Sequence, residues 1–364
     1  MKDATSPQVG LVDVAREAGV SPTLVSRILR GKRGNVRFSK QTEERVIRVA
    51  DELGYVPRRD AQNLKRQRSR TLALLSPQQP SGQPGEDAWG NHFLHQILCG
   101  TEAACQEHDY NCLYAHWSMN EKDRSHPRIM LDRSVDGVVL TDFTLSSVVD
   151  HLLATGVRCA QVGSNIDPAC DIDRYYGDLE GAVCEIAARY YEQGHRRIVL
   201  YRPIGFGPEA IEAAFLECTR AMPGLDARSV DCGRFADRFA EGEAARLAAC
   251  DERPTAMICP NGQFAFALAA SLAPHGLICP RDYCMIAWVS AGWPVSYLPG
   301  SGAAFSTIEL PNHIAAYHAA SDLIEDLESP YAEAPDTPSR SHTWPCQILW
   351  RDSTDPSACL IKTP

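Results

Sequence analysis

LVDVAREAGVSPTLVSRIL, residues Leu11–Leu29, contains two short apolar stripes at helical spacing with a glycine between them. The first stripe comprises Leu11, Val14, Ala15 and Ala18, and the second comprises Val25, Ile28 and Leu29. Gly19 permits a positive φ at the corner, and the small Ala15 allows two helices to cross closely. Ser21 is a favourable N-cap residue, and Pro22 suits the first position of the second helix. The pattern predicts a helix-turn-helix.

A polar face of the second helix points away from its apolar stripe. We predict that this face binds DNA through Ser21, Pro22, Thr23, Ser26 and Arg27. Thr23 and Arg27 are four residues apart, so they are neighbours on that face. Arg binds O6 and N7 of guanine together, whereas Thr hydrogen-bonds a base or a phosphate and contacts a thymine methyl group. The alternative is a pair of amphipathic helices in an ordinary core.

Charge is distributed unevenly along this chain of 364 residues, whose net charge is −10. Residues 1–70 contain 16 Lys and Arg against 8 Asp and Glu, a net of +8, and the remainder contains 20 against 38, a net of −18. A basic segment that coincides with a helix-turn-helix indicates a nucleic-acid-binding head on an acidic body. Because the sequence shows neither a membrane-spanning apolar run nor a signal peptide, we expect a cytoplasmic, nucleoid-associated protein with no membrane partner.

Basic residues continue into the loop at residues 30–37, where Arg37 is expected to contact phosphate. Ser39 is expected to cap a third helix that ends at Gly54. The next segment, residues 58–70, predicts a short hinge helix that is marginal alone in water. Leu64 has no core to join there, and we expect it to wedge between base steps in the minor groove. The alternative is a flexible linker.

From Thr71 onward, predicted strands alternate with predicted helices. The strands are Leu72–Leu75, Asn111–Ala115, Gly137–Leu140, Arg158–Val162, Arg197–Tyr201, Thr255–Cys259, Tyr283–Ala287 and Cys346–Arg351. The helices are Phe93–Glu107, Ser146–Ala154, Leu179–Gln193, Glu209–Ala221, Arg238–Ala249 and Phe264–Pro274. Two successive runs of this alternation predict two lobes, each a parallel sheet covered by helices, with a cleft at the carboxyl ends of the strands. The Pro- and Ser-rich stretches ending at Gly90 and following Ser329 are predicted to be loops.

Several stretches resemble the lactose-repressor/galactose-repressor family of bacterial transcription regulators. They are the helix-turn-helix above, VRFSKQTEERVIRVADELGYVP, AQNL in the connector, EQGHRRIVL, and PTAMICPNG followed by GLICPRDYCMIAW. The resemblance spans nearly the whole chain. It implies an all-α helix-turn-helix DNA-binding head (1–57), a hinge helix or linker (58–70) and an α/β two-lobed, periplasmic-binding-protein-like core (71–364).

The same resemblance implies partners and further site residues. The expected partners are a near-palindromic double-stranded DNA operator, a small-molecule effector in the cleft, and a second copy in a homodimer or further copies in a tetramer. Asn63 and Leu64 of the AQNL stretch are implied to contact the DNA. Repression, rather than activation, is the family expectation.

The core departs from sugar-responsive members of that family where they carry hydrogen-bonding groups. Ile211 stands at the position of an Arg, Val289 at that of an Asp, and Leu310 at that of a Gln. Buried polar groups with no polyol to bind would be costly, so aliphatic replacements indicate an effector less polar than a plain sugar. The residues expected to bind the effector are Phe93, Ile211, Asn261, Trp288 and Val289.

Two other functions are open at this stage. The core could bind no ligand and serve dimerisation or a protein partner. An enzyme would need a nucleophile and a base, such as Cys259 with His195 or His275, but nothing in the sequence places them together, and no phosphate-binding glycine loop or pair of metal ligands occurs. The 14 cysteines include no CxxC pair and are expected to be mostly reduced and buried. We therefore expect no cofactor, no metal and no enzymatic activity.

Overall fold

The computed structural model describes residues 9–29, 38–55, 68–78, 87–118, 134–141, 146–163, 170–202, 208–232, 236–329, 339–355 and 357. The chain divides into two compact units, residues 1–69 and residues 70–364. Of the predicted hinge segment, residues 58–70, the part from 58 to 67 lies outside the described ranges. No helix within these ranges has both the length and the apolar character needed to cross a membrane.

The first unit is a small helical head. Its described helices are α1 (Leu11–Glu17), α2 (Pro22–Leu29) and α3 (Lys40–Glu52). Their apolar faces meet in one buried cluster, which comprises Val14, Ala15, Ala18, Val25, Ile28, Val46, Val49 and Ala50. Both predicted stripes therefore face a common core, and the third helix closes it.

Local hydrogen bonds fix the ends of the helices in the head. Gly19 has a φ of +61°, which opens the corner between α1 and α2. The hydroxyl of Ser21 accepts from the amide of Leu24 at 3.3 Å, and the hydroxyl of Ser39 accepts from the amide of Thr42 at 3.1 Å. The predicted helix-turn-helix, its caps and its third helix are confirmed.

Two α/β lobes make up the second unit, and their strands and helices are numbered along the chain. The strands of lobe 1 are β1 (Thr71–Gln78), β2 (Asn111–Ser118), β3 (Gly137–Thr141), β4 (Arg158–Val162), β5 (Asp173–Asp178) and β11 (Ser341–Pro345). They form a parallel sheet in the order β11-β5-β4-β3-β1-β2. One face is covered by α4 (Asp87–Glu107) and α10 (Asn312–Glu328), and the other by α5 (Ser146–Ala154).

Lobe 2 repeats this architecture. Its strands are β6 (Arg197–Arg202), β7 (Asp226–Asp231), β8 (Ala256–Cys259), β9 (Cys284–Ser290), β10 (Ser306–Leu310) and β12 (Gln347–Leu349). They pair in the order β12-β10-β9-β8-β6-β7, and only the edge strand β12 is antiparallel to its neighbour. One face is covered by α6 (Leu179–Glu192) and α7 (Pro208–Arg220), and the other by α8 (Ala236–Ala248) and α9 (Gly262–Leu272).

Among its described strands and helices, the chain crosses between the lobes at three places, after β5, after β10 and after β11. These crossings meet at Gly177. A Cβ built there would lie 2.7 Å from Cδ of Pro311, 2.9 Å from Sγ of Cys346 and 3.4 Å from Cδ2 of Leu310. Only a residue without a side chain fits between the other two crossings, so the lobes are joined at one tightly packed point.

Each predicted strand and helix of the core has an observed counterpart, but two predicted loops were wrong in part. Helix α4 begins at Asp87, so it includes Gly90 and the residues before Phe93. Residues 341–345, predicted to lie in a surface excursion, form β11, which pairs along the whole length of β5. Strands β5, β7 and β10 and helix α10 were not predicted.

Candidate DNA-binding face and effector cleft

Helix α2 presents the residues that the sequence assigns to DNA recognition. Ser21, Pro22, Thr23 and Arg27 are exposed, and Ser26 is half-buried beside them. Val25 and Ile28, on the opposite face, are 0% and 4% exposed. The apolar contacts of α2 are thus satisfied within the head, and its polar side faces solvent. A protruding helix of this kind fits the major groove of B-DNA.

Arg27 differs in its ion pairing from two other arginines of the head. Arg16 pairs with Asp13, and Arg48 lies 3.7 Å from Glu52. No carboxylate of the described residues pairs with Arg27. Its guanidinium is therefore available for a base edge or a phosphate without first breaking an ion pair within the head.

Three predicted DNA contacts, Arg37, Asn63 and Leu64, lie outside the described residues. Their roles, like those on α2, stay predictions.

The residues assigned to the effector are distributed over both lobes. Phe93 lies on α4 and packs, half-buried, against the core of lobe 1. Asn261 follows β8 at the carboxyl edge of the lobe 2 sheet, where its Oδ1 accepts from the amide of Phe264 at 2.7 Å and caps α9. Trp288 and Val289 are near the carboxyl end of β9. The cap leaves the amide nitrogen of Asn261 as its hydrogen-bonding group for a ligand.

The aliphatic substitutions are all buried. Ile211, Val289 and Leu310 are 6%, 7% and 8% exposed. Ile211 and Leu310 belong to the core cluster of lobe 2, and Trp288 packs against the same cluster. The structure therefore places Ile211, Leu310 and Trp288 in or against the same core cluster of lobe 2, and it places Phe93 and Asn261 on other elements. A charged side chain at position 211 would be placed against apolar neighbours.

Side chains bridge the lobes at positions that the sequence did not single out. Nε2 of His92, on α4, donates to the carbonyl oxygen of Ala291 at 3.2 Å. The His92 ring also packs edge-on against Trp293, with centroids 5.1 Å apart. Because 199 positions separate His92 from Ala291, no local pattern signals this contact.

A second bridge is buried beside the crossing after β10. Nδ2 of Asn312 donates to the hydroxyl of Ser290 at 2.8 Å, and these residues are 3% and 5% exposed. Glu309, 7% exposed, accepts from the amide of Gly292 at 3.0 Å. The first bond ties the end of β9 to the start of α10, the second ties the loop after β9 to β10, and both place polar groups beside the carboxyl edge of lobe 2.

The residues considered for catalysis are held in structural positions. Cys259 is fully buried, and burial raises the pKa of its thiol well above the ordinary value, so it is a poor nucleophile. His195 is also buried, and its Nδ1 lies 2.9 Å from the hydroxyl of Thr255. Burial and the neighbouring Arg196 lower the pKa of His195 to about 4. His275 is exposed at the end of a short 3₁₀ helix.

Comparisons with known proteins match both parts of the chain. Residues 10–58 match the lacI family of bacterial regulatory proteins, and residues 187–354 match the periplasmic binding protein-like domain. The chain is 26% identical over 283 residues to the HTH-type transcriptional repressor PurR of Vibrio vulnificus strain CMCP6, covering 76% of this chain and 80% of that protein.

Solved structures have the same fold. The lac repressor dimer bound to operator and the anti-inducer ONPF matches with a TM-score of 0.74 at 17% identity, covering 95% of this chain and 99% of that one. A complex of the transcriptional regulator CelR with cellobiose matches with a TM-score of 0.61 at 20% identity, with coverage of 95% and 99%. The helix-turn-helix with its exposed polar face and these sequence matches together show a lacI-family DNA-binding domain joined to a periplasmic binding protein-like core, which is the organisation of a DNA-binding regulator rather than of an enzyme.

Proposed function

We propose that this protein is a transcriptional repressor that acts in the cytoplasm as a dimer on a near-palindromic operator. The observation that carries the proposal is the exposed polar face of α2, with Arg27 free of ion pairs to described carboxylates. A relative that matches 76% of this chain is named as a repressor, and a lac repressor of the same fold is described as a dimer bound to operator.

Size and charge support a dimer. Helix α2 has eight residues, so it is about 12 Å long and reaches only a few base pairs. Two heads bind two half-sites and add their phosphate contacts, which raises affinity at physiological salt. The body after residue 70 carries a net charge of −18 and repels DNA, so the heads and connectors provide the contact surface.

Effector binding belongs between the lobes, where the carboxyl ends of both parallel sheets lie. Phe93, Asn261 and Trp288 supply aromatic surface and an amide donor, and Ile211 and Val289 supply apolar surface. Although a structural neighbour is described as a cellobiose complex, the aliphatic residues at 211, 289 and 310 favour a less polar ligand. Such a ligand would act by changing how the lobes pack at their crossings.

A second candidate function is a DNA-binding regulator whose core binds no small molecule. It is favoured by the contacts from His92 to Ala291 and Trp293, which join the lobes through protein groups alone. In that case the core serves dimerisation or a protein partner.

Selection of bound sequences from random duplex DNA tests the DNA-binding proposal. We expect a near-palindromic sequence with two half-sites, and enrichment of a single half-site would contradict the dimer. A chain that stays monomeric in sedimentation and binds no duplex at low salt would overturn the proposal.

Calorimetric titration of the full-length protein distinguishes a core that binds an effector from a core that binds no small molecule. The probes are a set of plain hexoses and a matched set of aromatic and heterocyclic compounds of similar size. Specific binding of an aromatic or heterocyclic compound that changes operator affinity supports the less polar effector. Tight binding of a hexose overturns that inference, and no binding of either set favours the core without a ligand.

A further inference from the structure

The chain from the head enters the core at Arg70. This residue is the first of the core unit and directly precedes β1. Strand β1 lies between β3 and β2 and is parallel to both, so the amino ends of the three strands lie at one edge of the lobe 1 sheet. Residues 56–69, which we call the connector, join the head to this edge. The conformation of Arg70 therefore sets the direction in which the connector leaves the core.

The backbone of Arg70 is bonded on both sides and has an unusual conformation. Its amide donates to Oδ2 of Asp136, directly before β3, at 2.7 Å. Its carbonyl oxygen accepts from the amide of Asn111, the first residue of β2, at 2.8 Å. Its φ is 51°, and among the described residues only Arg70 and Asp109 combine a positive φ with a side chain. A left-handed residue directly before an extended strand turns the chain, and it persists only where surrounding contacts hold it.

The side chain of Arg70 supplies further contacts of this kind. Nη1 donates to Oδ2 of Asp109, in the turn before β2, at 2.9 Å. Nη2 donates to Oε1 of Glu328, the last residue of α10, at 2.7 Å. The guanidinium also lies 5.5 Å from the centre of the Tyr110 ring. The Arg70 side chain is 22% exposed, so water screens its ion pairs less than pairs on an open surface.

We propose that Arg70 is a positioning residue for DNA recognition. Its contacts with Asp109, Tyr110, Asp136 and Glu328, together called the Arg70 clamp, hold the left-handed turn that directs the connector. The clamp thereby sets the spacing of half-sites that the two heads of a dimer accept. Tethered modules bind two sites at once only where their linkers reach both, and a fixed origin narrows the separations that they reach. This role rests on the proposed binding of a dimer to an operator.

Arg340 provides a matched control. It directly precedes β11 of the same sheet. Its Nη2 donates to Oδ2 of Asp173, the first residue of β5, at 2.6 Å, and also to Oδ2 of Asp326, in the last turn of α10. Arg340 therefore resembles Arg70 in pairing with the end of α10 and with the amino end of a strand. It differs in that the connector does not begin beside it.

Amide hydrogen exchange of the full-length protein without DNA tests the clamp. The amide of Asn111 reports its state, because it donates to the carbonyl oxygen of Arg70. Arg70→Ala removes two charge-assisted hydrogen bonds and a cation–π contact, so exchange at Asn111 should become about tenfold faster. Arg340→Ala should leave that rate unchanged. An unchanged rate in Arg70→Ala would show that the side chain does not hold the turn, and it would overturn the proposal.

Operator spacing tests the positioning role. The duplexes carry two copies of the half-site recovered by selection, and the distance between their centres is varied one base pair at a time. We expect the wild type to prefer one spacing. Arg70→Ala should bind that duplex about tenfold more weakly, bind the other spacings as the wild type does, and keep its affinity for a duplex with a single half-site. Arg340→Ala should keep the wild-type preference.

A second variant keeps the test valid if Arg70→Ala does not fold. Asp109→Asn/Glu328→Gln removes both ion pairs, preserves side-chain size, and places at position 109 a residue that tolerates positive φ. It should lose the spacing preference in the same way. A retained preference, or an equal loss of affinity on the single half-site, overturns the proposal. A wild type that binds no duplex refutes the operator function itself, whereas one that binds duplexes of all spacings equally refutes only the role of Arg70.

Discussion

Replacement of Gly177 by alanine tests whether the three crossings between the lobes are packed as tightly as the structure shows. The new Cβ would lie 2.7 Å from Cδ of Pro311 and 2.9 Å from Sγ of Cys346. Because non-bonded heavy atoms prefer about 3.5–4.0 Å, each neighbour must move by about 0.6–0.8 Å or more. Cδ of Pro311 is fixed to the backbone by its ring, so it moves only with the chain, whereas Sγ of Cys346 is the end of a side chain with one rotatable bond.

The expected cost follows from these distances. Inserting a methyl group into a well-packed site costs about 1–3 kcal/mol. Alanine recovers about 0.4–1 kcal/mol through the lower entropy of the unfolded chain. We therefore expect the free energy of unfolding of the core to fall by about 1–2 kcal/mol, and the melting temperature by about 2–4 °C for each kcal/mol.

Urea and thermal unfolding of the full-length protein measure this effect, with Gly242→Ala as the control. Gly242 lies in α8, and a Cβ built there meets nothing within 4 Å. Alanine at that exposed helical position should stabilise the protein by up to about 1 kcal/mol. Opposite signs for the two substitutions would show that the cost at Gly177 comes from its neighbours.

A double-mutant cycle identifies the neighbour. Cys346→Ala removes the sulfur that lies 2.9 Å from the new Cβ, so Gly177→Ala should cost less in that background. A Gly177→Ala protein as stable as the wild type would refute the packing argument. An unchanged cost in the Cys346→Ala background would place the whole effect on Pro311.

Three further predictions concern the head, the bridge between the lobes and pH. Arg27→Ala should weaken DNA binding by about 1–3 kcal/mol per half-site and relax the preference for one base. As a control, replacement of the ion-paired Arg48 by alanine should not alter sequence preference. If Arg27→Ala weakens binding to all duplexes equally, Arg27 contacts phosphate. His92→Ala should raise the rate of amide hydrogen exchange at residues 291–293 about fivefold, which corresponds to the free energy of one hydrogen bond. The control His95→Ala, at an exposed position three residues further along the chain, should not. An unchanged rate in His92→Ala would show that the His92 bridge does not stabilise the contact between the lobes. The pKa of His195 is about 4 in the folded state, below its unfolded value of about 6.5. Because the unfolded state binds more protons in this range, the free energy of unfolding should fall as pH decreases from about 6.5 to 4. A His195→Gln variant with the same pH dependence would contradict this.

The parts of the fold that the sequence predicts are those held by local interactions. The caps at Ser21 and Ser39 and the glycine corner at Gly19 act within a few residues, so the helix-turn-helix can be predicted from its local sequence pattern. The strand–helix alternation is equally local, and the buried β3 reads as an uninterrupted apolar run.

The parts that it does not predict depend on distant pairing. SHTWP at residues 341–345 alternates exposed and half-buried positions and becomes β11 only because β5 offers a free edge. Strand β7, with the sequence DARSVD, is also an edge strand, at the edge of the lobe 2 sheet. An edge position tolerates its polar residues. At the site, the bridge from His92 and the convergence on Gly177 join residues more than a hundred positions apart.

These long-range contacts set the energy that an effector must supply. The bonds from His92 to Ala291 and from Asn312 to Ser290 join the lobes, and together they are worth about 1–3 kcal/mol. A ligand that binds only when these bonds are broken supplies about 2.7 kcal/mol at a concentration 100 times its Kd. The two quantities are of the same size, so an effector of ordinary affinity is sufficient to shift the lobes. The crossings at Gly177 are covalent and closely packed, so we expect them to be the fixed point of any such shift.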